Sequence, residues 1–418
     1  MRASSPFRKN RTGGAADGRP ARTGGPESDP RSVSDGRRAV HAPPWPGPRA
    51  ADDPRNRTAG APRAEGPTAP DTGARATGAL RAGVLAVVLG AALLAALTAA
   101  VAWGSTDIAT GHVWSVVFRR LSGEAPRPGT DDLIVWQLRV PRALLAAIVG
   151  AGLGLVGTAT QSLVRNPLAD PYLLGISNGA SLGAVAAIVL GASAGGLLGL
   201  GLSAAAFLGA FGAFVLVWGM ARRGGTFSPL RLVLAGVAIG QFLSGFTSFL
   251  VLRTEDEQQT HSVLFWLMGS LGGASWSLLT LPALAVLAAG LALQARARGL
   301  NALTMGDETA AGVGVDVTRL RRELLVVTSL LTGCLVAVSG AIAFVGLMVP
   351  HVCRLLVGGD HRRLLPVSAL TGALLLVVVD IVCRTAMDTQ ELPVGVVTSL
   401  IGAPTLLYLL DRRLERNR

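Results

Sequence analysis

RNPLADPYLLGISNGA, Arg165 to Ala180, separates two long apolar stretches. One Arg, one Asn, two prolines and an Asp fall within Arg165–Pro171. In hydrocarbon an unpartnered polar group costs roughly 2–7 kcal/mol, so no lipid-facing helix accommodates this string. It must lie at a membrane surface or be enclosed by protein, with its Ser, Asn and Gly leading into the next helix. Outward from it, apolar stretches recur at the length of about 20 residues that a bilayer requires. They lie near residues 81–103, 143–164, 172–193, 196–221, 228–252, 274–295, 324–349, 364–386 and 394–411, with a tenth, shorter piece at Pro350–Gly358.

Half of the 418 residues are hydrophobic, only 15% are charged, and 53 are glycine. That composition predicts an all-α, polytopic membrane protein. Residues 1–78 differ: they are rich in Pro, Gly, Arg, Asp and Ser, and basic on balance. Such a segment cannot build a core and reads as a disordered cytoplasmic tail ahead of a transmembrane domain at 79–418. It lacks aromatic residues interleaved with its charges, so nucleic-acid binding is not expected. The only lysine is Lys9. A phosphate-binding P-loop needs a lysine, which excludes a self-contained ATPase after the tail.

Charge sets the crossing number. With the tail inside and Pro350–Gly358 counted as a crossing, fifteen arginines face inward and seven outward. Without that crossing, a terminal cluster of four arginines lies outside, against the positive-inside rule. Ten transmembrane helices follow, with both termini cytoplasmic.

Several residues carry candidate chemistry. The connection at 296–322 holds MGDETAAGVGVDVTRLRREL, where Asp307, Glu308 and Thr309 precede Ala310 and Ala311 as a short helix with acids at its positive end. Gly312 and Gly314 stop that helix. Arg139 and Arg142 in RVPR, together with Arg384, lie on the side where positive charge is disfavoured. Asp380 stands four residues before Arg384 on one helix face, so the two can neutralise each other or the acid can begin a proton path. Gln161, Ser177, Asn178 and Gln241 are candidates for a polar pathway, alongside Thr158, Ser181 and Thr398; the small residues Gly150, Gly154, Gly236 and Gly240 could line it too, but close helix packing is the expected role of each glycine. His351 and His361 lack a partner at metal spacing, and Cys334, Cys353 and Cys383 read as small buried hydrophobes.

The Arg165–Ala180 string, SGAIAFVGLMVPHVCRLLVGGDHRRLLP at Ser339–Pro366 and ELPVGVVTSLIGAPTLLYLL at Glu391–Leu410 together resemble the signatures of the FecCD family. Its members are permease subunits of ABC importers for iron-siderophores, haem and cobalamin, with a type II importer fold. The resemblance spans roughly residues 80–411. It implies import of an iron-siderophore complex, with haem or cobalamin as alternatives, across the cytoplasmic membrane. It also implies no enzyme activity or cofactor in this chain, with ATP and magnesium held by two separate ATP-binding subunits. Met305, Gly306, Asp307, Glu308, Thr309, Ala310, Ala311 and Gly312 would form the ATPase-coupling loop. Arg139, Arg142 and Arg384 would receive carboxylates of an extracytoplasmic substrate-binding protein, and the permease would pair as a homodimer or with a paralogue. Hydropathy alone also admits an ion-coupled secondary transporter, for which Asp380 and the Pro350 break are the only supports.

Overall fold

The computed structural model describes residues 72–104, 106–125, 129–193, 201–222, 228–254, 256–387 and 390–416. All but the last seven residues of the predicted tail at 1–78 lie outside them. The described chain is helical throughout. In order it forms α1 (Thr72–Ala102), α2 (Thr110–Leu121), α3 (Thr130–Leu133), a π-turn (Ile134–Arg139), α4 (Val140–Val164), a 3₁₀ turn (Pro171–Leu174), α5 (Ile176–Ser193), α6 (Leu202–Ala221) and α7 (Pro229–Leu252). There follow α8 (Glu257–Leu267), α9 (Trp276–Ala295), α10 (Ala297–Thr304), α11 (Asp307–Gly312), α12 (Val317–Ser339), α13 (Val345–Val357), α14 (His361–Thr385) and α15 (Val394–Arg416).

Among the described residues seven helical segments are long and apolar enough to cross a bilayer, and three shorter apolar ones, Ile176–Gly191, Val345–Val357 and Val394–Tyr408, accompany them. The ten expected segments are therefore present, but two boundaries move. RVPR does not precede the second span; it lies inside a continuous helical stretch, Thr130–Val164. Pro141 has no N–H to complete the helical ladder, and the π-turn just before it absorbs the mismatch. The other break falls not at Pro350 but at Gly340–Phe344, with Pro350 inside α13. Gly340 adopts φ 64°, and a Cβ there would meet Trp266 O at 2.3 Å, so only glycine fits. Pro350 cannot donate to Gly346 O. That carbonyl instead lies against Gly157 of α4, where a Cβ would sit 1.8 Å from it.

Helix α4 is the hub, packing on α9, α12, α13 and α14. Its closest partner is α14, because Gly150 and Gly154 face Gly372 and Ser368; a Cβ at Gly150 would lie 2.2 Å from Gly372 O, and one at Gly154 2.3 Å from Ser368 O. Small residues four apart let two membrane helices touch backbone to backbone. These two glycines, weighed for the pathway but expected to pack, are packing residues. Helices α5 and α6 repeat the device with Gly179 and Gly183 against Gly209 and Ala205. Two short amphipathic helices, α2 and α8, escape prediction because neither is long or apolar enough for a span; α2 buries only Val113 and Val116.

The polar string folds back between α4 and α5, as its composition demanded. Arg165 takes φ 55°, Asn166 Oδ1 accepts from Leu168 N, and Asp170 caps the 3₁₀ turn by accepting from Tyr172 N at 2.8 Å. Gly175, at φ 70°, lies against the α7 backbone at Gly236.

Candidate functional site

The residues with candidate roles gather at the two ends of the bundle. At one end, α9 leads through α10 to a tight turn at Gly306 (φ 116°) and then α11. Ala310 is the buried face of this short helix, whereas Met305 and Val313 are 72% and 68% exposed. Two bulky apolar side chains beside Glu308 and Thr309, both exposed, form a surface that fits a protein cleft better than water. Asp307 differs from its expected role. It receives two hydrogen bonds from Arg321 at 2.7 and 2.8 Å and lies 3.5 Å from Arg165. Arg321 is almost fully buried on α12, so Asp307 is a strut tying α11 to α12 and to the end of α4.

A second tie, which the sequence reading does not identify, holds α10. Asn301 Nδ2 donates to Asp360 Oδ1 at 2.7 Å, while Asn301 Oδ1 accepts from His361 N and lies 2.6 Å from His361 Nδ1. His361 Nε2 in turn lies 2.7 Å from Ser162 Oγ on α4. Ser, His and Asn here resemble a hydrolytic triad only in name: Ser162 and His361 are each 1% exposed, so no substrate can reach them. The arrangement instead fastens α10 to α4 and to the start of α14. Burial opposes the charge on Asp360, but Asn301, the Arg362 N–H and the Arg362 and Arg363 charges outweigh it and hold its carboxyl below the usual range.

At the opposite end stand the three arginines expected to receive a partner's carboxylates. All are buried. Arg139 donates to the carbonyls of Val101, Ala102 and Thr106, and Arg384 to those of Ala100 and Trp103. Both therefore cap the carbonyl end of α1, where the helix dipole favours a cation. Arg384 also pairs with Asp380 at 3.1 Å, the intrahelical pair that the four-residue spacing suggested. Arg142 alone binds acids from elsewhere: Asp380 at 2.9 Å and Glu391 at 2.8 Å. With two guanidinium groups on it, fully buried Asp380 is not an acid left free for a proton path.

Of the pathway candidates, Gln161 turns inward, donating to Leu347 O at 3.1 Å and accepting from Arg354 at 3.1 Å, since an amide facing lipid goes unpaired. Ser177 is buried beside Asn178, which donates to Gly240 O at 2.9 Å. Gln241 is exposed on α7. Among the described residues no three His, Cys, Asp or Glu side chains converge to hold a metal ion.

Comparison with known families matches the FecCD transport family over residues 92–412. The chain belongs to the FecCD transport family. This FecCD chain is 45% identical over 286 residues to the cobalamin import system permease protein BtuC of Halobacterium salinarum, covering 68% of this chain and 75% of that one. It is 42% identical over 291 residues to the hemin transport system permease protein HmuU of Yersinia pestis, covering 69% and 86%. The ABC transporter permease protein YvrB of Bacillus subtilis shares 40% over 336 residues, 78% and 94% of the two chains. Among solved structures, an inward-facing metal-chelate type ABC transporter superposes with TM-score 0.68 and 30% identity over 79% of this chain and 99% of the other. The FecCD chain is thus a multi-pass membrane protein and the permease subunit of an ABC importer, with its ATPase in a separate subunit.

Proposed function

We propose that this permease carries a bulky metal chelate, with a corrinoid or haem ahead of a ferric siderophore. Support comes from the relatives named for cobalamin and hemin and from the absence of converging metal ligands among the described residues, which suits cargo whose metal is already enclosed. The observation that carries the wider reading is the contrast between the two ends. One presents exposed Met305 and Val313 at the ends of α10 and α11, helices braced by Asn301 and Asp307 respectively; the other gathers arginines around two acids.

In this reading two permeases, identical or paralogous, enclose a path to which Gln241 and Asn178 contribute. Two ATP-binding subunits, holding ATP and magnesium, seat the Met305–Val313 surface on the cytoplasmic side. A substrate-binding protein docks outside, near Arg142, and both termini are cytoplasmic. The chain sits in the cytoplasmic membrane. Braced by Asn301 on α10 and Asp307 on α11, these two helices pass a push from the ATPase into α4, α12 and α14 rather than absorbing it.

The test is uptake into proteoliposomes containing the assembled importer, ATP inside and binding protein outside. Cyanocobalamin, haemin and a ferric hydroxamate are each supplied with radiolabel. ATP-dependent accumulation of one chelate assigns the cargo. Accumulation driven by a proton gradient without ATP would refute the reading.

A further inference from the structure

The Arg142 guanidinium is held unequally on its two sides. Its Nε donates to Asp380, an acid with no exposed surface. Its Nη1 donates to both oxygens of Glu391, at 3.0 and 2.8 Å, and Glu391 is 35% exposed. Glu391 stands on the connection between α14 and α15, beside the exposed turn at Gly272 and Gly273. A Cβ at Gly272 would lie 3.9 Å from Glu391 Oε2 and 4.0 Å from Arg142 Nη1, ordinary contact distances, so this turn lies beside the pair without pressing on it. The backbone beyond is fixed: Leu392 N donates to Cys383 O, and Val394 N to Gly269 O. Glu391 can therefore leave Arg142 by rotating its own side chain, with no helix disturbed.

We propose that Glu391 is an exchangeable stand-in for a partner's carboxylate. An acidic side chain of the extracytoplasmic binding protein displaces it from Arg142 Nη1, while Asp380 stays in place. This rests on the reading that the binding protein docks at this end, and it narrows that docking from three arginines to one. Arg139 and Arg384 are engaged in capping α1. Exchange also answers an energetic difficulty. Asp380 is shared with Arg384, so without a second carboxylate this end would hold one buried positive charge uncompensated, which is strongly destabilising, whereas one carboxylate replacing another never leaves that charge alone. A partner that docks and leaves in every cycle then gains recognition without excessive affinity.

The experiment measures binding of the co-purifying substrate-binding protein to the permease–ATPase complex in nanodiscs. Glu391→Gln removes the internal competitor. It is expected to tighten the Kd about three- to tenfold, the range set by a partly exposed ion pair, and to steepen its salt dependence. Arg142→Gln is expected to weaken binding about thirtyfold or more. Should Arg142→Gln fail to assemble, Arg142→Lys keeps a charge beside Asp380 but loses the guanidinium fork, and the same direction of change is expected. If Glu391→Gln leaves binding unchanged or weaker while the Arg142 variant weakens it, the docking reading stands and the exchange is refuted. Wild-type binding by the Arg142 variants would refute docking on Arg142 and the exchange together.

Discussion

Replacing Asp307 with Asn takes one charge from a pair that joins the ATPase-facing turn to the bundle. Arg321 contributes both Nη atoms at 2.7 and 2.8 Å, and its side chain is only 5% exposed. Breaking a fully buried pair costs about 3–5 kcal/mol because the remaining charge has no partner. Asp307 is 42% exposed, so water screens its side and some compensation reaches Arg321. A loss of about 2 kcal/mol follows, near a thirtyfold change in the folding equilibrium. Glu308 is exposed on the same turn, and Glu308→Gln should stay within about 0.5 kcal/mol of wild type. Denaturant titration of the purified permease in detergent, followed by helical circular dichroism, measures both. ATP-driven uptake by the same two variants separates bracing from contact: Asp307→Asn should lower stability and transport together, Glu308→Gln transport alone. Equal stability for the two variants would refute the strut and leave Asp307 as a member of the exposed turn alone.

Gly154→Ala, whose new Cβ would meet Ser368 O at 2.3 Å, should separate α4 from α14 and cost about 1–3 kcal/mol; Gly90→Ala, with nothing within 4 Å, should be neutral, and the same titration compares them. Asp360 carries a depressed pKa, so the unfolded chain binds its proton more tightly than the folded one. Its stabilisation is fully present above the unfolded value of 3.8 and is lost as pH falls through the folded value; melting temperature against pH should therefore flatten at the acid end in Asp360→Asn. Tyr172→Phe removes a hydroxyl that bonds both Ile342 O and Ile342 N at 2.9 Å, and a loss of about 1–3 kcal/mol is expected by the same titration, since two buried backbone groups go unsatisfied.

The ten apolar segments were legible because length and hydropathy depend only on neighbours in sequence. The short helix at Asp307–Gly312 was legible for the same reason, through its acids and the glycines that stop it. Two boundaries beside prolines moved. The apolar segments expected to begin after Pro141 and at Pro350 instead have both prolines inside helical stretches, where a π-turn or a glycine on a neighbouring helix accommodates the missing donor. The roles of the arginines were hidden by distance along the chain. Arg384 and Asp380 are four residues apart and could be paired from sequence, but Arg142 finds Asp380 and Glu391 at separations of 238 and 249 residues. Ser162 and His361, 199 residues apart, carried no signal as a pair. Nor does any local pattern distinguish an arginine that caps the end of another helix from one that faces a partner.

The two breaks in the bundle explain each other. Backbone that leaves the helix at membrane depth must find its hydrogen bonds within protein. The polar string after α4 and the Gly340–Phe344 break before α13 supply them mutually. Tyr172 OH donates to Ile342 O and accepts from Ile342 N, and Asp170 fixes the turn that carries Tyr172 by accepting from Tyr172 N. Phe344 is held at φ 67°, a conformation a bulky residue rarely adopts, and its ring lies where a side chain at Gly402 of α15 would stand. One break thus fixes the other, and together they set the position of α15 beside them. Asp and Tyr in DPY are therefore required by the break they stitch, not by the cargo. That separates residues such as Asp170 and Tyr172, which hold the permease fold together, from exposed ones such as Met305, Glu308 and Gln241, which the fold itself does not require.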